Sequence, residues 1–141
     1  MFTEADAVEI ARAAHDGQLD KSGKPYIGHP MRVMSALADP HERMAAVLHD
    51  VIEDTPVTAA DLRAAGCPEP VVAAVVALSK TDGEAQEDYL ARVAANPMAK
   101  AVKFADIADN SSPTRLAALD DATRQRLIAK YTAARAYLDG A

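Results

Sequence analysis

Tryptophan is absent from this chain, phenylalanine occurs twice and tyrosine four times. That excludes a core built on large aromatic rings, and Ala, Val, Leu, Ile and Met must fill it instead. Glycine is sparse at six residues, and Ala, Leu and Met favour helix. A single cysteine, Cys67, precludes an intramolecular disulfide. No apolar run approaches the roughly 20 residues of a membrane span, and the first residues lack the basic and apolar stretches of a leader peptide. A soluble cytoplasmic protein with no membrane role is therefore expected. Basic charge is in deficit: 15 Lys and Arg stand against 21 Asp and Glu, a net charge of -6. That argues against a nucleic-acid partner, which needs a basic patch to neutralise phosphates. It leaves open a small phosphorylated molecule, because a bound cation reverses the local potential.

What is present reads as one globular domain spanning 1–141, half of it apolar. Thr3 with Asp6 three places on predicts a capped first helix over 3–15, ended by Gly17. Gly17, Gly23, Pro25 and Gly28 make 17–28 an irregular loop. Pro30 suits the first turn of a second helix, which leaves His29 at the junction. The spacing predicts a third helix over 41–54, stopped by Pro56. Thr58 and Asp61 cap a short fourth one that ends near Gly66. A fifth covers 71–78, read as helix despite its valines because no partner strand is visible. Further helices are expected over 87–95, 98–110 and 121–138, with Pro113 marking an exit. The expected fold class is all-α, a bundle of seven or eight helices.

The third helix carries the anomaly. At 100° per residue, Met44, Val47, Leu48, Val51 and Ile52 form a core face, while His49, Asp50, Glu53 and Asp54 gather opposite them, with Ala46 among them. A solvated polar face is the ordinary explanation. Such a face interleaves cations with acids, yet between Ala45 and Asp54 no basic residue occurs except His49. Like charges at i, i+4 cost roughly 0.2–0.5 kcal/mol in an isolated helix, so an inorganic cation is implied. His29, beside Pro30, can point inward. Asp106 lies in the mostly apolar AVKFAD stretch, where a buried carboxylate needs a partner. That partner is either a Lys or Arg, or the same cation.

Beyond the HD dipeptide, AHDGQ, KSGKPYIGHP, AVLHDVIEDT and VKFAD occur in this order between Val8 and Leu116. The chain thereby resembles the HD superfamily of metal-dependent phosphohydrolases, and within it the RelA/SpoT-type hydrolase domains and small alarmone hydrolases. That resemblance implies His29, His49, Asp50 and Asp106 as ligands of one divalent metal, Mn²⁺. It implies Glu53 and Asp54 as the acidic pair acting on water, and Lys21, Ser22 and Asn110 as contacts to the nucleotide. The implied reaction removes the 3′-pyrophosphate of (p)ppGpp. The alternatives are an HD hydrolase of another nucleotide and a nucleotide-binding module without turnover.

Lys103, one turn before Asp106, is a further substrate-binding candidate. Lys80, Lys100 and Arg115 could also meet phosphate, but all four, Lys103 included, read more simply as solvated surface charges. His15 and Tyr26 read as structural, His41 as surface, and Met31, Met34 and Met44 as core. Two departures from the family text stand out. Asp20 puts a negative charge before the KSG loop where a basic residue is common. Ser111-Ser112-Pro113 follows Asn110 where an apolar residue and Arg are usual, with Arg115 further on.

Overall fold

The structure, a computed structural model, describes residues 1–141. Ten helical segments follow one another without strands: α1 (Glu4–Ala14), α2 (Gly28–Ser35), α3 (Pro40–Leu48), α4 (Val51–Asp54), α5 (Ala59–Ala64), α6 (Glu69–Leu78), α7 (Gln86–Ala94), α8 (Pro97–Asn110), α9 (Pro113–Ala117) and α10 (Asp121–Asp139). The all-α expectation holds, and the element count exceeds it for two local reasons. The helix expected over 41–54 breaks at His49 and Asp50, giving α3 and α4. Pro113, read as an exit, instead opens α9, because Ser112 caps it by accepting the Arg115 N–H and proline occupies the first turn.

Caps set most of the other boundaries. Thr3 with Asp6 and Thr58 with Asp61 form full capping boxes at the starts of α1 and α5. Asp39 with Pro40 and Asn96 with Pro97 start α3 and α8. After α5 the chain turns through Gly66 at φ +94°, a backbone region that side chains disfavour.

Helix α3 is the hub and packs against α1, α2, α6 and α8. Its Met44, Ala45, Ala46, Val47 and Leu48 are all buried, so the C-terminal half of the helix has no wet side. Ala46, grouped with the polar face in the sequence, is core. In α6, Val71, Val72, Val75 and Leu78 are buried. Burial stabilises each by about 1.5–3 kcal/mol, well above the helix penalty of valine, at most about 0.7 kcal/mol. Met34 and Met44 are core, Met31 is partly buried and His41 is exposed. Helix α10 buries only Leu127, Ala134 and Leu138, and lies against α7 and α8. No helix is long and apolar enough to cross a membrane.

Candidate metal centre and adjoining cavity

Four elements deliver the polar side chains that meet in the interior. His29 lies in the first turn of α2, buried beside Pro30. His49 and Asp50 occupy the break between α3 and α4. In an unbroken helix neighbouring side chains diverge by about 100°; here the His49 N–H bonds back to Ala46 O (3.3 Å) and Asp50 takes ψ −1°. The break lets both side chains face one point. Asp106, buried in α8, closes the group.

The distances are those of a converging donor set. His29 Nε2 lies 2.8 Å from Asp106 Oδ1, and His49 Nε2 lies 3.2 Å from the same oxygen. His49 Nε2 is 3.1 Å from Asp50 Oδ2, and His29 Nε2 is 4.0 Å from it. Donor atoms of His29, His49 and Asp50 all fall within 4.8 Å of one another, a possible metal site.

The opposite ring nitrogens face outward. His49 Nδ1 donates to Ala46 O (2.5 Å) and His29 Nδ1 donates to Asp109 Oδ2 (2.7 Å). Those bonds place the proton on Nδ1 and turn each Nε2 inward, the arrangement of a histidine poised to bind metal. Burial alone lowers an imidazole pKa, yet His29 and His49 are both raised by the surrounding carboxylates. Burial alone raises a carboxyl pKa, yet Lys103 and the two imidazoles hold Asp106 well below the usual range.

A ring of partners fixes the carboxylates. The Tyr26 hydroxyl donates to Asp50 Oδ2, and burial followed by Asp50 pushes its own pKa far up. Lys103 Nζ donates to Asp106 Oδ2 and Asn110 Nδ2 to Asp106 Oδ1, each at 3.0 Å. Lys103 is not the solvated charge that the sequence suggested. Its side chain is 17% exposed, pairs with Asp106 and sits 5.2 Å from the Tyr89 ring centroid.

Asp109, which the sequence did not single out, and Arg115, read there as a surface charge, complete the ring. Asp109 receives His29 and Arg32 (2.8 Å), and these hold its carboxyl at about 2 against the opposing effect of burial. Arg115, expected at the surface, is mostly buried. Its Nη1 donates to Asn110 Oδ1 (2.6 Å) and Asp109 Oδ2 (3.2 Å). The signal for Asp109 was its spacing: three residues after Asp106, it shares a helix face with it. Nothing local marked Arg115, which reaches the site because α9 folds back.

Glu53 and Asp54 stand on the exposed side of α4. Glu53 Oε1 accepts the Lys80 N–H (2.7 Å) from the α6–α7 connector. Burial first, then neighbouring Asp50, raises both carboxyls. Glu53, Lys21, Ser22, Asn110 and Arg115 share a cavity of about 350 Å³ with Leu119, Leu127 and Tyr131. Next to it a cleft of about 140 Å³ is walled by His29, Asp50, Lys103 and Asp106. Asp54 lines neither.

Asp20 proves to organise the loop. Its Oδ1 accepts from Ser22 N (2.8 Å) and Lys24 N (3.0 Å), and its side chain is 8% exposed near Arg115. Its charge is thus directed at loop amides, and a basic residue here removes both bonds. His15 is structural, as expected: Nδ1 meets Gln18 Oε1 at 2.8 Å and its ring lies 5.1 Å from that of Tyr26.

The HD domain family matches residues 7–129, and the chain belongs to it. Over 58 residues it is 55% identical to a guanosine-3′,5′-bis(diphosphate) 3′-pyrophosphohydrolase of Haemophilus influenzae, which covers 38% of this chain and 9% of that protein. Over 57 residues it is 54% identical to the bifunctional (p)ppGpp synthase/hydrolase SpoT of Escherichia coli, or 38% of this chain and 8% of that one. A GTP pyrophosphokinase of Streptomyces coelicolor is 48% identical over 61 residues, 40% of this chain and 7% of its own length. The matched segment thus spans under a tenth of each of these relatives. A solved structure described as a metazoan ortholog of SpoT that hydrolyzes ppGpp superposes with a TM-score of 0.81 at 22% identity, covering 97% of this chain and 85% of that one. The fold is shared.

Proposed function

We propose that this chain is a divalent-metal-dependent pyrophosphohydrolase acting on guanosine 3′,5′-bis(diphosphate) and its 5′-triphosphate counterpart. The observation that carries the reading is the inward convergence of two imidazole Nε2 atoms and two carboxylates, with both Nδ1 atoms tied outside. His29, His49, Asp50 and Asp106 would hold the ion. Nitrogen and carboxylate donors suit Mn, Fe or Zn; Mn²⁺ is the metal that the likeness to alarmone hydrolases favours. When bound, a divalent ion acidifies water and polarises a phosphoryl oxygen.

The remaining steps fall to the chain's own groups. Glu53, anchored by Lys80 N–H with its carboxyl pKa raised, accepts the proton of the attacking water. Asp54, one residue on, supports that role electrostatically. Lys103 and Asn110 hold Asp106 in place and present their remaining donors to phosphate. Lys21 and Ser22 line the adjoining cavity, where a nucleoside fits. The balance is one water consumed, the sugar 3′-oxygen released as a hydroxyl, and pyrophosphate with GDP or GTP as products. The names of the relatives support the substrate class.

The test is product analysis by chromatography after incubation with Mn²⁺ and (p)ppGpp, with GTP, ATP and nucleoside monophosphates run in parallel. Pyrophosphate with GDP or GTP is the expected result. Turnover of another nucleotide alone overturns the alarmone assignment and keeps the phosphohydrolase. Metal and nucleotide binding without any turnover leaves a binding module.

A further inference from the structure

The cavity and the cleft adjoin: Tyr26, Asn110, Lys130 and Tyr131 line both. Of these four, Lys130 alone carries a positive charge, and neither the acid-rich α4 nor the KSG loop supplies it. Helix α10 does. Leu127 and Ala134, three places before Lys130 and four after it, are both buried, so Lys130 lies on the face of α10 turned toward the protein.

Two of the cations near this seam are already engaged. Lys103 is neutralised by Asp106 and Lys80 Nζ bonds to Gln86 Oε1 (3.1 Å). Lys130 has no carboxylate against it. Burial, then Lys103, Lys80, Lys21 and Arg126, lower the pKa of its ammonium. On a chain with net charge -6, unpaired positive charge gathered at one opening is repulsion that an anion relieves. A nucleotide with one phosphorylated end at His29, His49, Asp50 and Asp106 and its nucleoside in the cavity would span the stretch that Lys130 lines.

We propose that Lys130 forms a second phosphate subsite at the seam, taking the phosphate of the same nucleotide that is not hydrolysed. The site thereby selects nucleotides phosphorylated at two positions of the sugar. This rests on the nucleotide reading given above, but it concerns binding and is separable from turnover.

Guanosine 3′,5′-bisphosphate and guanosine 3′-monophosphate separate the two, because neither contains a pyrophosphate to cleave. Calorimetric titration in Mn²⁺ should show the 5′-phosphate improving Kd about tenfold on the unmodified chain, the scale of one charge-assisted contact. In Lys130→Gln the two ligands should bind within about twofold of each other. Lys130→Arg should restore the difference, and Arg12→Gln, which removes the same charge from exposed α1, should leave it intact. Lys130 is exposed, and circular dichroism checks that all three variants fold. A 5′-phosphate advantage that survives in Lys130→Gln, or that is missing from the unmodified chain, overturns the proposal. Loss of the advantage in Lys130→Gln with no consumption of (p)ppGpp keeps the subsite and removes only the hydrolase reading.

Discussion

Glu53 is exposed, bonded through one oxygen to a backbone amide, and makes no hydrogen bond to either imidazole. Holding an ion and acting on water are therefore separable at this residue. Glu53→Gln should keep metal and nucleotide affinity while kcat falls by roughly 10²–10⁴-fold, the scale of a positioned base. Steady-state kinetics beside metal analysis decide it, and a loss of metal would instead make Glu53 a ligand. Asp109 sits one bond outside the centre and orients His29. Asp109→Asn should weaken metal binding by roughly 10–100-fold, as removal of such outer partners does, with titration of Mn²⁺ into metal-stripped protein as the measurement. His49 and Asp50 could be read in the sequence from an acidic face without Lys or Arg, and Asp106 from its apolar setting. Arg115 could not, since its partners Asn110 and Asp109 are reached only through the α8–α9 turn. Asp20 was legible as a charge but not as a loop fastener, because its bonds to Ser22 and Lys24 amides depend on the backbone path.

Helices were legible where caps punctuate them, as at Thr3 and Thr58. The α3–α4 break was not, because the residues 41–54 keep a helical period right through it. What interrupts the helix is tertiary: His49, Tyr26 and the histidine of α2 draw Asp50 inward. The α6–α7 connector shows the same logic. Arg92 on α7 donates to Ser79 O (2.9 Å) and Val76 O (3.2 Å) and pairs with Glu84 (2.8 Å), closing the carboxyl end of α6. Lys80, whose amide holds Glu53, lies in that connector. Arg92→Gln should cost about 1–2 kcal/mol in urea unfolding. It should also lower kcat more than metal affinity, because the connector aims the base and touches no ligand. Equal losses in both would show general loosening instead.

Across the whole molecule, the candidate ligands come from the α2 start, the α3–α4 break and α8, all of which pack on α3. An ion bound there ties together the helices that bury the core. Mn²⁺ at a hundredfold excess over Kd should add about 2.7 kcal/mol of stability, seen as a rise of several degrees in Tm. His49→Ala and Asp106→Ala should melt at the same temperature with and without the ion. A Tm rise that persists in both variants would move the ion elsewhere.

Tyr26 ends the 17–28 loop, and its hydroxyl holds Asp50. Lys21 and Ser22, earlier in that loop, face the cavity. One segment therefore carries a proposed nucleotide contact at one end and the aim of a candidate metal donor at the other. Equilibrium linkage makes such an arrangement symmetrical: whatever factor an ordered loop adds to the affinity for the ion, the ion returns to the affinity for the nucleotide. The two ligands are then cooperative through a single phenol, without any domain movement.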